Sequence, residues 1–315
     1  MHGIKNIVII GAGAMGILYA SQFSQNNNFN VYLGVYGERY SKLKDKEILF
    51  NDTPYIFNTI DLDKDTIEAD LIIISVKYHD LKDVIPKLNR IISKETIIIS
   101  ILNGLDSENE IGSVYGMDKI LYTTTVGMDA VRDKNVITCK NLGKLVFGEL
   151  KNHILSDKVK RLKNLLDIAG INYDIPEEME KAMWWKFMVN VGMNQTSAVL
   201  GASYGDFQKS KHIRDVMEGL MKEVILLSSY EGVNLDYQND LKVKWYEVLY
   251  KLDPKGKTSM LQDIEAKRKT EVEIFGGKVL TLSKKYNIDL KYNKVVYEMI
   301  KGMEDIYLDG ANNAS

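Results

Sequence analysis

The chain has 315 residues, 45% of them hydrophobic and 27% charged, with a formal net charge of -2. That composition is ordinary for folded globular domains and gives no electrostatic reason to expect nucleic acid or an anionic membrane as partner. The length exceeds one comfortable hydrophobic core and points to two domains.

Cys139 is the single cysteine, which excludes an intramolecular disulfide framework, fits a reducing compartment and reads as a small buried apolar residue. The opening Met1-His2-Gly3-Ile4-Lys5 leads almost at once into a strand-like run, without the charged leader, long apolar stretch and small-residue cleavage site of a secretory signal. No segment approaches the ~20 consecutive apolar residues of a membrane-spanning helix. The expected location is the cytoplasm.

Ile7-Val8-Ile9-Ile10 reads as a buried strand, and Met15 to Gln25 as the helix after it. Val31-Tyr32-Leu33, Leu71 to Val76 and Thr96 to Ser100 are further strands, with helical spacing at Leu81, Val84, Ile85 and Leu88 between the last two. Continuous apolar strands alternating with helices predict a doubly wound parallel sheet covered on both faces, an α/β Rossmann-type domain. Val136-Ile137-Thr138-Cys139 and Lys144 to Gly148 read as strands with no helix between them, and are expected to extend the sheet in antiparallel fashion. After Ile175-Pro176 helical patterns dominate, so the expected division is a dinucleotide-binding domain over 1–176 and an all-helical substrate domain over 177–315.

The first strand runs into Gly11-Ala12-Gly13-Ala14-Met15-Gly16. In a strand–loop–helix context this spacing predicts a dinucleotide site. Gly11 permits the tight turn, Gly13 lets a pyrophosphate approach the backbone, and Gly16 lets helix pack on strand. The phosphates then meet the unpaired N–H groups at the helix start. At the end of the second strand a carboxylate would favour NAD and a basic residue NADP. Tyr36 occupies that place, with Arg39 and Lys42 close behind and Glu38 between them. The expected cofactor is NADPH, with NADH as the alternative.

In the helical half, Lys186, Asn190 and Asn194 are spaced i, i+4, i+8 within an apolar, aromatic segment, so they share one helix stripe. A desolvated lysine can stabilise and protonate the oxygen of a ketone receiving hydride, and asparagines can hold substrate oxygens without adding charge. Helix capping and a snorkelling lysine are the structural alternative. Ser259-Met260-Leu261-Gln262 resembles a capping box with Ser259 as N-cap, followed by a solvated charged face. The histidines His2, His79, His153 and His212 are scattered without ligand spacing, and no metal is expected. Trp245, Tyr246, Leu249 and Tyr250 read as domain core, with a homodimer interface as the alternative.

Taken together, the glycine loop, Ser75-Val76-Lys77, Asn103-Gly104, Lys186-x-x-x-Asn190-x-x-x-Asn194 and Ser259-Met260-Leu261-Gln262-Asp263-Ile264…Thr270-Glu271 resemble the ketopantoate reductase family, in order and over nearly the whole chain. The resemblance implies reduction of 2-dehydropantoate to pantoate with NADPH, in coenzyme A biosynthesis. It implies Lys186 as proton donor, Asn190, Asn194 and Ser259 as substrate-binding residues, and Lys77, Asn103 and Glu271 as residues at the cofactor. Two positions depart from the family's pattern: Tyr36 stands where NADPH users commonly carry arginine, and Tyr204 where an asparagine commonly precedes the glycine. An NAD-dependent D-2-hydroxyacid dehydrogenase acting on branched 2-oxo acids is therefore the rival. A non-catalytic dinucleotide sensor is the reading from a different class.

Overall fold

The computed structural model describes residues 3–312. The chain forms two compact units, residues 1–180 and 181–315, and the division falls in the first turn of a long helix.

Among the described residues, unit one carries twelve strands: β1 (Asn6–Ile10), β2 (Asn30–Val35), β3 (Glu47–Phe50), β4 (Thr53–Ile56), β5 (Asn58–Asp61), β6 (Ala69–Ile74), β7 (Ile92–Ser100), β8 (Ile120–Met128), β9 (Val131–Asp133), β10 (Val136–Thr138), β11 (Leu142–Gly148) and β12 (Tyr173–Asp174). Its helices are α1 (Ala14–Ser24), α2 (Glu38–Leu43), α3 (Leu81–Val84), α4 (Ser107–Tyr115) and α5 (Asp157–Ala169). Eight strands form the main sheet in the order β12-β11-β8-β7-β6-β1-β2-β5. From β8 to β5 all neighbours run parallel, and β11 then pairs antiparallel with β8.

The continuous apolar runs follow from burial on both faces. Ile7 and Ile9 join one core with Ile17, Leu18, Val159 and Leu162, whereas Val8 and Ile10 join another with Leu81, Val84, Leu88 and Ile111. Successive side chains of a strand point to opposite faces, so two cores need an uninterrupted apolar strand between them. The chain leaves β1 for β2 on one side and later returns to β6 on the other, placing a topological switch at the carboxyl ends of β1 and β6. That is where open α/β sheets gather ligands.

The expected extension of the sheet holds for residues 144–148 but not for 136–139. β10 instead pairs parallel with β3 and antiparallel with β9 in a separate sheet, ordered β4-β3-β10-β9. The side chain of Asn51 draws that segment away: its Nδ2 donates to the Cys139 carbonyl at 2.8 Å, and its Oδ1 accepts from the Cys139 N–H at 2.8 Å. Asn51 and Asp52, at φ 45° and 62°, form the tight turn between β3 and β4. Cys139 itself is buried, as expected.

Unit two is helical: α6 (Met179–Leu200), whose first residues precede the division, then α7 (Tyr204–Lys209), α8 (Lys211–Tyr230), a π-helical segment Tyr237–Trp245, α9 (Tyr246–Leu249), α10 (Ser259–Glu265), α11 (Gly276–Tyr286) and α12 (Tyr292–Asn312). Glu223 on α8 caps α12, accepting from the backbone N–H groups of Lys291, Tyr292 and Asn293 at 2.7, 2.8 and 2.9 Å. Asn293 in turn accepts from Gln195 of α6 at 3.1 Å and donates to the Leu220 carbonyl at 3.2 Å, so one buried network ties three helices together. Among the described residues no helix is long and apolar enough to cross a membrane.

Candidate active site

The glycine loop joins β1 to α1 at the switch point. Gly11 has φ +102°, a conformation that L side chains rarely adopt, and its N–H donates to the Gly34 carbonyl at 3.2 Å. A Cβ on Gly16 would come within 2.2 Å of the Gly11 carbonyl oxygen and 2.6 Å of Ser75 Oγ, so only glycine lets α1 approach β1 this closely. Gly13 differs: its φ is -71°, and a Cβ there would meet nothing nearer than the Ser75 carbonyl oxygen at 3.9 Å. Neither strain nor crowding within the protein demands glycine at 13. The space its missing side chain leaves lies at the start of α1, where Gly13 is the N-cap and supplies no side-chain cap, and the first turn holds no acidic residue. Those N–H groups suit an anion. The loop thus fits the pyrophosphate of a dinucleotide.

Ser75, directly after β6, braces the loop. Its N–H and Oγ both donate to the Ile10 carbonyl, at 2.9 and 3.0 Å, and Oγ also lies 3.1 Å from the Gly11 carbonyl. This function was hidden in the sequence because the partners are far apart along the chain. Lys77 follows two residues later as the residue preceding the short turn Tyr78–Asp80, and Asn103 follows the end of β7. Both sit beyond carboxyl ends of parallel strands adjoining the switch point, on the same edge of the sheet as the loop.

Beyond β2, Tyr36 lies under Lys87, whose Nζ is 4.5 Å from the ring centroid. Lys87 is also paired with Asp63. Arg39 pairs with Asp80 at 3.4 Å and Lys42 with Glu38 at 2.8 Å.

In unit two, α6 runs unbroken through Lys186, Asn190 and Asn194, so the three share a stripe as the spacing predicts. From Met183 to Ala198 every residue of α6 is buried except Lys186, which is partly exposed. Desolvation lowers the Lys186 ammonium from its ordinary value to about 8. The flanking Trp185 is fixed by donating from its indole N–H to the Asp240 carbonyl at 2.9 Å, which anchors this turn of α6 to the π-helical segment.

The expectation that Ser259 caps α10 is corrected. Thr258 is the N-cap, its hydroxyl accepting from the Leu261 N–H at 3.2 Å, and Ser259 is the first residue of the helix, exposed. Threonine fills the capping role one position earlier, which releases the Ser259 hydroxyl for other work. Further on, Thr270 is pinned to buried Glu304, which accepts from its N–H at 2.7 Å and its hydroxyl at 2.6 Å. Glu271 is thereby held at the head of the short Val272–Ile274 turn. Tyr204 lies beside Gly256, where an added Cβ would meet the Tyr204 ring at 2.7 Å, and its hydroxyl donates to the Lys257 carbonyl at 3.2 Å. It therefore packs on the segment that leads into Ser259.

Among the described residues no group of three or more His, Cys, Asp and Glu side chains could hold a metal; His2 lies outside them.

Ketopantoate reductase PanE/ApbA matches residues 7–152, and Ketopantoate reductase PanE/ApbA C terminal matches residues 178–304. The chain belongs to the ketopantoate reductase PanE/ApbA family. A 2-dehydropantoate 2-reductase of Streptococcus pyogenes is 26% identical over 311 residues, covering 95% of this chain and 98% of the relative. The fold is shared with a dimeric ketopantoate reductase from Staphylococcus aureus, at a TM-score of 0.80 and 20% identity, over 96% of this chain and 99% of that one. It is shared also with D-mandelate dehydrogenase in its ternary structure with NADH and anilino(oxo)acetate, at a TM-score of 0.85 and 22% identity, with the same coverage. The Rossmann-type unit followed by a helical unit is thus the fold of this family, and its members are oxidoreductases.

Proposed function

We propose that the protein reduces a small branched 2-oxo acid, with 2-dehydropantoate as the leading substrate and pantoate as product, on the route to pantothenate and coenzyme A. The observation that carries this reading is the Lys186–Asn190–Asn194 stripe, with its lysine brought down to about 8 by desolvation. A nicotinamide dinucleotide held on the Gly11–Gly16 loop would supply the hydride. Lys186 holds a proton at Nζ for the substrate's carbonyl oxygen, and a group titrating near working pH is suited to giving it up. Asn190, Asn194 and Ser259 orient the substrate, while Lys77, Asn103 and Glu271 position the cofactor. Compartment and assembly follow the same reading: a cytoplasmic enzyme acting as a homodimer, in line with the dimeric relative from Staphylococcus aureus.

One observation favours a second reading. The bulky Tyr204 packs where the family's pattern has asparagine, next to the segment leading into Ser259. This supports an apolar-substituted 2-oxo acid, reduced to a D-2-hydroxy acid, as the alternative substrate. Steady-state rates with 2-dehydropantoate, 2-oxoisocaproate and benzoylformate, each with NADH and NADPH, separate the two. A preference for 2-dehydropantoate in kcat/KM supports the first reading. Absence of turnover with all three would overturn both.

A further inference from the structure

The segment Tyr237–Trp245 of unit two is π-helical over nine residues, longer than the single turn in which such winding mostly occurs. Hydrogen bonds that close from i to i+5 widen each turn by about one residue relative to an α-helix. In an α-helix the residue five positions on lies about 140° around the axis, so Asp240 and Trp245 would meet different neighbours. The wider turn brings Lys244 and Trp245 back to the face that carries Asp240.

That face meets Trp185 of α6. The Trp185 indole N–H donates to the Asp240 carbonyl at 2.9 Å, the Lys244 ammonium lies 4.4 Å from a Trp185 ring centroid, and the Trp245 ring meets it edge-on at 6.4 Å. One turn earlier on α6, Lys181 pairs with the Asp240 carboxylate at 3.4 Å. The helix is thus held at two successive turns, and Lys186 is the next residue after Trp185.

Glu218 of α8 keeps the segment in this form. Its buried carboxylate accepts from Tyr237 at the first residue of the segment, from Lys242 within it and from Tyr246 just past its end. Residues nine apart lie on opposite sides of an α-helix, about 180° around the axis, so α-helical winding would not let both tyrosines reach one carboxylate. The segment's own stability does not account for the winding, since the indole N–H of buried Trp245 has no hydrogen-bond partner among the described residues.

We infer that the π-helical segment is a positioning element: by gripping Trp185 on three sides it sets the rotation of the α6 turn that presents Lys186, with Glu218 as the pin that maintains the grip. This rests on the reading of Lys186 as proton donor. Trp185, Lys244 and Glu218 act only through that lysine, whose ammonium must lie within hydrogen-bond reach of the reacting oxygen. Displacement of such a group by about 1 Å costs up to ~100-fold in rate.

The test is single-turnover reduction of 2-dehydropantoate with NADPH and of 2-oxoisocaproate with NADH, followed by the absorbance of the reduced nicotinamide, with thermal unfolding alongside. Trp185→Phe keeps a ring and drops the N–H; it is expected to slow the chemical step about 10-fold while KM stays within about twofold. Lys244→Met changes an exposed residue and leaves the core untouched; it is expected to slow the step about threefold. Deleting exposed Val243 takes the extra residue out of the winding and should slow the step at least as much as Trp185→Phe. In a Lys186→Ala background, Trp185→Phe and Lys244→Met should change the residual rate by less than about twofold, because a positioning residue has nothing left to position. Wild-type rates in both point variants overturn the inference, as does a loss in the Lys186→Ala background equal to that in the wild type, which would make the grip merely structural. A wild-type rate in Lys186→Ala by itself would instead overturn the proton-donor reading.

Discussion

Gly16 faces Gly11 so closely that a Cβ on the former would lie 2.2 Å from the carbonyl oxygen of the latter. The obstacle is backbone, so no rotamer change relieves it. Gly16→Ala is expected to force α1 off β1, at a cost of about 1–3 kcal/mol, the range for overpacking. It should also weaken dinucleotide binding at least ~10-fold, because the helix start proposed to receive the pyrophosphate moves with α1. Gly13→Ala provides the contrast. Its added methyl meets nothing within the protein closer than 3.9 Å, so thermal unfolding should shift little while dinucleotide binding still falls. Equal loss of stability in the two variants would remove the distinct functions assigned to these glycines.

Lys186 gives a signed pH dependence. With Lys186 as the proposed proton donor, reduction would need the ammonium, so kcat/KM for 2-oxo acid reduction should fall as pH rises through about 8. Oxidation of the 2-hydroxy acid needs the neutral amine and should rise over the same interval. Stability follows a different sign: the folded state holds this proton less tightly than the unfolded chain does. The burial penalty is therefore fully present below about 8 and is relieved as pH climbs toward the ordinary lysine value. Lys186→Ala should cost at least ~100-fold in turnover, the lower range for losing a general acid, and should abolish the limb near 8. A pH profile unchanged in that variant would assign the proton elsewhere.

Thr258 and Ser259 are adjacent, and they are expected to fail differently. Thr258→Ala removes the cap on α10 and should cost about 1 kcal/mol of stability. Ser259→Ala removes an exposed hydroxyl that caps nothing, so unfolding should be unaffected while KM for the 2-oxo acid rises. Thermal unfolding beside steady-state kinetics on the two variants checks this; a raised KM confined to Thr258→Ala would return Ser259 to a structural role.

The parallel strands were legible because each lies between two cores and must be apolar throughout, as Ile7 to Ile10 show. The α6 stripe was legible because helical spacing alone aligns Lys186, Asn190 and Asn194. What escaped depends on partners distant in sequence. β10 leaves the main sheet because Asn51 mimics a strand edge for Cys139, a contact across 88 positions. The π-helical turn Tyr237–Trp245 depends on Glu218 of α8, which accepts from Lys242, Tyr246 and Tyr237. No local periodicity signals that arrangement. The cap on α10 was misplaced by one residue because threonine and serine are both good caps, and local sequence does not choose between neighbours.

Tyr204 is the position at which the substrate readings can be separated by a single change. Its ring occupies the space against Gly256, and its hydroxyl donates to the Lys257 carbonyl, so Tyr204→Asn vacates volume and replaces an aromatic face with amide donors and acceptors. A pocket shaped by the ring favours an apolar 2-oxo acid side chain, whereas an amide can pair with the hydroxyl that 2-dehydropantoate carries. Tyr204→Asn is therefore expected to shift the ratio of kcat/KM for 2-dehydropantoate over 2-oxoisocaproate upward by about 10-fold or more, since sites that hydrogen-bond a substrate hydroxyl discriminate more strongly than apolar ones. Tyr204→Phe separates the ring from the hydroxyl: it should retain the wild-type ratio, with a loss of stability near 1 kcal/mol for the missing hydrogen bond. If Tyr204→Asn changed both rates by the same factor, the residue would support the Lys257–Ser259 segment without reading the substrate's side chain.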